Sequence, residues 1–232
     1  MNEASPAGAA RPLTLAVGEA GKVSALWLGP AQPRACYVFA HGAGAGMTHP
    51  SMAAFAEGLA AREVATLRFQ FPYMEKGSKR PDPPAAAQAA VRAAVDEATR
   101  LGGGLPLFAG GRSFGGRMTS QAQAKSPLPG VRGLAFVGFP LHPADRPGTD
   151  RATHLSAIAI PMLFLQGTRD ELASLALLNP VVAALGARAT LELFDDADHS
   201  FHVRARSGRS DAQVREAMLD ATVAWMAPIA AR

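Results

Sequence analysis

Short apolar runs alternate with longer helix-forming stretches along most of this 232-residue chain, and Gly, Pro, Asp or Asn marks each change. The runs at 13–17 and 23–28 flank a polar GEAGK turn, which predicts an antiparallel hairpin. Further strands are expected at 36–40, 64–69, 106–110, 134–139, 161–167 and 189–194. Helices are expected at 51–63, 84–101, directly after Ser113, near 172–185 and from 211 to 227, with a polar loop from 70 to 83. The stretch 84–101 opens on Pro84 and is followed by Gly102, Gly103 and Gly104, the punctuation expected of a helix. Such alternation implies an α/β fold: a mainly parallel, twisted sheet with helices on both faces, begun by the N-terminal hairpin. Residues 1–12 are expected to be a flexible tail and 13–232 one domain. In this architecture, chemistry gathers in loops at the carboxyl ends of the strands.

Charge narrows the function classes only slightly. The chain has 23 Lys and Arg against 19 Asp and Glu, a net +4 spread over the whole length. The clusters at 76–80 and 202–209 read as solvated loops, with anion attraction near a site as the alternative, and no nucleic-acid partner is expected. No apolar run is long enough to span a bilayer, and the first residues lack a basic start and an apolar signal core. A cytoplasmic protein without a membrane partner is the expectation. The single cysteine, Cys36, fits a reducing compartment and leaves no cysteine-based metal site. Alanine-rich helix faces pack equally well within one chain or between two, so they leave the oligomeric state open.

After the apolar run at 106–110 comes GGRSFGG, in which Ser113 lies between Gly111 and Gly115 as G-x-S-x-G. A strand enters and a helix leaves, so the serine would sit on a crowded turn that needs glycine on either side. The hydroxyl would be exposed there, facing the positive end of the following helix. A serine is a poor nucleophile without a base to take its proton and a carboxylate to orient that base. Asp170, in GTRDEL after the run at 161–167, is the carboxylate candidate, ahead of Glu171 and Asp145. Asp170 could instead cap the helix that follows. His199, in DDADHSFH after the run at 189–194, is the base candidate, with His202 as its alternative. The same eight residues could be read as metal ligands, but no second cluster with ligand spacing accompanies them, so no metal is expected.

The run at 36–40 leads into HGAGAG, where small residues let backbone N–H groups approach a ligand. The N–H of Phe114 and that of Ala43 or Gly44 are the candidate donors to a developing oxyanion. His41 reads as a loop anchor. A dinucleotide loop is the rival reading, but Met47 stands where G-x-G-x-x-G would need its last glycine, and no cofactor is expected.

Together HGAGAG, FQFPYM (69–74), GGRSFGG, GTRDEL and DADHSF resemble the α/β-hydrolase superfamily, from about residue 13 onward. The likeness is greatest to small hydrolases related to dienelactone hydrolases and to the testis-expressed hydrolase-like proteins. The resemblance implies Ser113 as nucleophile, His199 as general base and then general acid, Asp170 as the carboxylate holding the imidazole, and Phe114 with Ala43 as the oxyanion hole. Dienelactone hydrolases use a cysteine where this chain has Ser113, so their lactone substrate is not carried over. Some relatives have lost triad residues and act as scaffolds; all three are retained here.

Residues 140–160 are too few for the cap domain of larger hydrolases, which implies an open, shallow cleft. Its expected rim is Met47, Tyr73, Met74, Phe139, His142 and Phe201. Arg112 and Arg117 flank the serine and could hold an anionic substrate tail; Arg112 could equally support the sheet edge. The leading expectation is a serine hydrolase acting on a small-molecule ester or thioester. The alternatives are a catalytically silent binding or interaction module and, least favoured, a nucleotide-binding oxidoreductase.

Overall fold

A computed structural model of the chain describes residues 8–232. The elements are β1 (Arg11–Ala16), β2 (Lys22–Leu28), β3 (Ala35–Ala40), α1 (Pro50–Ala60), β4 (Val64–Phe69), α2 (Pro72–Glu75), α3 (Pro84–Gly102), β5 (Leu107–Arg112), α4 (Phe114–Lys125), β6 (Val131–Val137), β7 (Met162–Gly167), α5 (Leu175–Leu185), β8 (Ala189–Phe194) and α6 (Asp211–Ala230). The strands form one sheet in the order β1-β2-β4-β3-β5-β6-β7-β8. β2 runs antiparallel to both its neighbours, and every other pairing is parallel.

The inner strands bury alternate residues on opposite faces, and the two faces build different cores. On β3, Cys36, Val38 and Ala40 join the cluster that contains the buried residues of α3, α4 and α5. Ala35, Tyr37 and Phe39 point the other way, into the cluster with α1 and α6. Coverage on both sides explains why all six residues of β3 and of β4 are buried and read as continuous apolar runs. The buried stripe of α3, Ala87, Ala90, Val91, Ala94, Val95 and Ala98, follows helical spacing. Its alanines let the helix lie close to the strands.

The strand order places the site. From β3 the chain crosses through α1 to β4 on one side, whereas from β5 it crosses through α4 to β6 on the other. The loops leaving β3 and β5 therefore diverge at the switch point, where a crevice opens at the strands' carboxyl ends. HGAGAG and Ser113 sit in these two loops.

Several boundaries differ from the sequence reading. Residues 1–7 of the expected tail lie outside the described residues, while Arg11 and Pro12 already pair with Trp27 and Leu26 in the sheet. The expected loop at 70–83 contains the short helix α2. β5 runs on to Arg112 because β6 pairs with it that far, and β6 stops at Val137 because Gly138 turns left-handed, with φ +67°. α5 starts at Leu175, later than expected, because the Asp170 side chain first holds the N–H of Leu172 in a turn. The connection between β6 and β7 holds only a 3-10 segment, Asp150–Ala157, and no separate cap. Among the described residues, no helix is long and apolar enough to cross a membrane.

Candidate active site

Ser113 lies between β5 and α4 with φ 48° and ψ −115°, a left-handed conformation strained for a residue with a Cβ. Two hydrogen bonds hold it: its N–H donates to Val137 (3.0 Å), and its C=O accepts from Arg117 N–H (3.1 Å). The turn closes only because its neighbours lack side chains. A Cβ at Gly111 would lie 2.4 Å from the Ala40 carbonyl oxygen, and one at Gly115 would lie 2.5 Å from the same atom. Ser113 thereby caps the positive end of α4, where the N–H of Phe114, at the first helical position, has no intrahelical acceptor.

Ser113, His199 and Asp170 come together from three strand ends. His199 Nε2 is 2.9 Å from Ser113 Oγ, and His199 Nδ1 is 2.7 Å from Asp170 Oδ2. An ionised carboxylate only accepts, so Nδ1 carries the ring proton and Nε2 offers its lone pair to the serine hydroxyl. The Asp170 side chain is fully buried, and its other oxygen accepts from Leu172 N–H (2.8 Å). Gln166, buried on β7, donates its side-chain amide to Asp170 Oδ2 and accepts from Phe139 N–H (3.0 Å). Sequence reading missed Gln166, although it is the one polar side chain in the apolar run PMLFLQG, four residues before Asp170.

The loop bearing His199 is shaped by its own acids. Asp198 accepts from Ser200 N–H (2.7 Å) and His202 N–H (3.0 Å), and Asp196 pairs with Arg204. The loop lies against Gly167, where a Cβ would meet the Ala197 carbonyl oxygen at 2.3 Å. Gly138 packs beside the imidazole, where a Cβ would stand in ordinary contact 3.5 Å from His199 Nδ1, and its φ of +67° is what favours glycine. His202, the alternative base, pairs instead with Asp211 (2.9 Å), and this bond raises its pKa. Four side chains of the metal reading, Asp196, Asp198, His199 and His202, thus have different partners, and among the described residues no three His, Cys, Asp or Glu groups converge.

HGAGAG is braced against the same turn. Gly42 faces Ser113 so closely that a Cβ on it would stand 3.8 Å from the serine Cβ, and the Tyr73 hydroxyl donates to the Ala43 carbonyl (2.8 Å). His41 is buried, joined by Nδ1 to its neighbour Gly42 C=O (2.7 Å) and by Nε2 to Phe71 N–H (3.0 Å). Gly44 is exposed.

The rim differs in part from expectation. Phe139 is fully buried between Phe136 and Phe164, because the bond from its N–H to Gln166 draws it into the core. Met47 is also buried, with its N–H held by Gln70 (2.9 Å) and its C=O by Arg68 (3.0 Å). Tyr73 is buried against Phe114 and serves as the loop's brace. Met74 is half-buried against the same cluster. His142 is buried, joined through Nδ1 to Pro143 C=O (2.8 Å). Phe201 and Arg112 line a cavity of about 200 Å³ between α1 and α6. Arg112 donates to Ser51 Oγ (3.1 Å); burial lowers its pKa, and the nearby Asp198 and Asp170 oppose the shift. Arg117 lies over the Phe114 ring, 5.9 Å from its centroid.

A serine on a strand–helix turn, followed along the chain by an aspartate and a histidine at later strand ends of a mainly parallel sheet, defines the α/β-hydrolase fold. The sequence matches the family model described as alpha/beta hydrolase domain over residues 33–227, and the chain belongs to that family. Among solved structures, it is similar to a dienelactone hydrolase from Anabaena variabilis, at 21% identity and TM-score 0.74, covering 93% of this chain and 97% of that one. It is similar also to a lidless α/β serine hydrolase from Xanthomonas campestris, at 21% identity and TM-score 0.73, with 97% and 98% covered. A cold-adapted esterase from an Arctic intertidal metagenomic library shares 18% identity at TM-score 0.67, with 92% of each chain covered.

Proposed function

We propose that this protein is a cytoplasmic serine hydrolase that cleaves carboxylic esters or thioesters through an acyl-enzyme. The observation that carries the reading is the unbroken hydrogen-bonded series from Ser113 Oγ through His199 (2.9 Å) to the buried Asp170 (2.7 Å). Ser113 Oγ attacks the carbonyl carbon while His199 Nε2 takes its proton, and Asp170 stabilises the imidazolium that forms. The carbonyl oxygen becomes negative and is met by the N–H of Phe114 and that of Ala43 or Gly44. Collapse of the tetrahedral adduct expels the alcohol or thiol, which His199 protonates. Water then attacks the acyl-serine with the same histidine as base, freeing the acid and restoring Ser113.

Intact-mass measurement after exposure to a fluorophosphonate tests this directly, because covalent capture needs an activated serine beside oxyanion donors. One adduct on the wild type, absent from Ser113→Ala, is the expected result. Folded wild-type protein that takes no adduct would move the reading to a silent binding module.

A further inference from the structure

Most arginines of the chain that lie near carboxylates pair with them: Arg62 with Glu216 and Asp220, Arg100 with Glu97, and Arg204 with Asp196. Beside the candidate site, three arginines do not. Among the described residues, the guanidinium groups of Arg117, Arg146 and Arg151 make no ion pair and no hydrogen bond. Arg117 and Arg151 are half-buried, and Arg146 is exposed.

The fold sets Arg117 on the helix that starts just after Ser113, and Arg146 and Arg151 in the connection that packs against that helix. Arg117 is one helical turn beyond Ser113, whose C=O accepts its N–H (3.1 Å). Helical side chains lean toward the helix N-terminus, and this one lies back over Phe114, toward the serine. The 3-10 segment Asp150–Ala157 packs on α4, fixed by the contact between Ser120 Oγ and His154 Nε2 (2.7 Å). Arg151 is the second residue of that segment, and with Arg146 and Asp150 it lines a pocket of about 370 Å³ beside His142 and Leu141. The charges are close enough to act on one another. Burial first and Arg151 second lower the pKa of Arg117, and burial first and Arg146 second lower that of Arg151. His154 is pushed down to about 4 by burial and by Arg117, so it adds no cation at neutral pH. Asp145 and Asp150, in the same connection, are exposed and form no ion pair with the cluster.

We infer that Arg117, Arg146 and Arg151 form a subsite for the anionic group, carboxylate or phosphate, of an ester seated over Ser113. The inference rests on the hydrolase reading for the word ester; the anion site itself stands on the arginines alone. Guanidinium forks match carboxylate and phosphate oxygens in pairs, and a cleft without a cap lets a charged end extend past the rim to reach them.

Calorimetric titration of the folded Ser113→Ala protein, which cannot turn its ligand over, reads the subsite without catalysis. The probes are monomethyl succinate, phenyl phosphate and, as neutral comparison, methyl butyrate. At least one anion should bind at least about tenfold more tightly than the neutral ester, and more weakly as salt rises. The tighter of the two anions identifies the group. Adding Arg151→Gln or Arg146→Gln should weaken the anion about tenfold and leave the neutral probe's affinity unaltered. These two replacements complement Arg117→Gln, which also strips a contact from Phe114. Equal binding of charged and neutral probes, or anion binding indifferent to all three replacements, would overturn the subsite. Wild-type turnover of methyl butyrate and monomethyl succinate separates the two readings. Hydrolysis of both without anion preference discards the subsite and keeps the hydrolase. Arginine-dependent anion binding with hydrolysis of neither keeps the subsite and discards the hydrolase.

Discussion

Gln166 donates its side-chain amide to Asp170 on the same carboxylate oxygen that accepts His199 Nδ1–H. Its own carbonyl is occupied by Phe139 N–H (3.0 Å), so the amide cannot turn over without breaking both bonds. Gln166 therefore acts as a positioning residue, fixing the rotamer of a buried carboxylate from the strand below it.

Gln166→Met keeps the volume and removes the polar group, and it should lower kcat about tenfold with KM little changed, the range for loss of an outer-shell partner. Steady-state kinetics with a short-chain ester reads the split. A purely structural role would lower the melting temperature and the active fraction together, leaving kcat per labelled serine unaltered.

Ser113 and His199 act as a unit if the proposed mechanism holds. Ser113→Ala and His199→Ala should each cost at least about 10⁴ in kcat, and the double variant should be little worse than either. Asp170→Asn should cost about 10⁴ while the fold persists, because an amide in that place can donate to Nδ1 and favour the wrong tautomer. Full additivity of the two alanine variants in the rate of ester hydrolysis would contradict a shared step.

Gly115→Ala should be far more damaging than its one added methyl suggests. The new Cβ would sit 2.5 Å from the Ala40 carbonyl oxygen and 2.6 Å from that of His41, both backbone atoms that cannot rotate away. Either β3 parts from α4 or the serine turn opens, at a cost of about 1–3 kcal/mol or more. Urea denaturation should show the loss, and fluorophosphonate capture should slow with it. Gly148→Ala, where nothing stands within 4 Å, is the matched control.

The strands were legible because most are buried on both faces and read as unbroken apolar runs, and helix α3 because proline and glycine punctuate it. The order of Ser113, Asp170 and His199 along the chain was legible because each follows a strand end. The rim was not. Phe139 and Met47 have the chemistry of cleft residues, but hydrogen bonds to Gln166 and Gln70 and from Arg68, on other strands and loops, draw them inward. No local pattern in the sequence encodes those partners. The short helix at Pro72 was missed for a similar reason, since its stability comes from Tyr73, whose N–H is held by Asp82 (2.8 Å) and whose hydroxyl is held by Ala43.

His41 makes stability depend on pH. Its Nε2 must be unprotonated to accept Phe71 N–H, and burial holds its pKa down to about 4, from an ordinary 6.5, against backbone hydrogen bonds that pull upward. A histidine depressed in the folded state leaves the unfolded chain to take up the proton first. Its contribution is therefore present above pH 6.5 and is lost as pH falls from there toward about 4. At about 1.4 kcal/mol per pH unit the loss approaches about 3 kcal/mol. His154, also lowered to about 4 but more exposed, adds a smaller loss in the same direction. Urea denaturation at about pH 7.5 and about pH 4.5 reads the difference, and His41→Gln should shrink it while lowering stability at the higher pH. An equal pH dependence in wild type and variant would show that the proton taken up on unfolding is not that of His41.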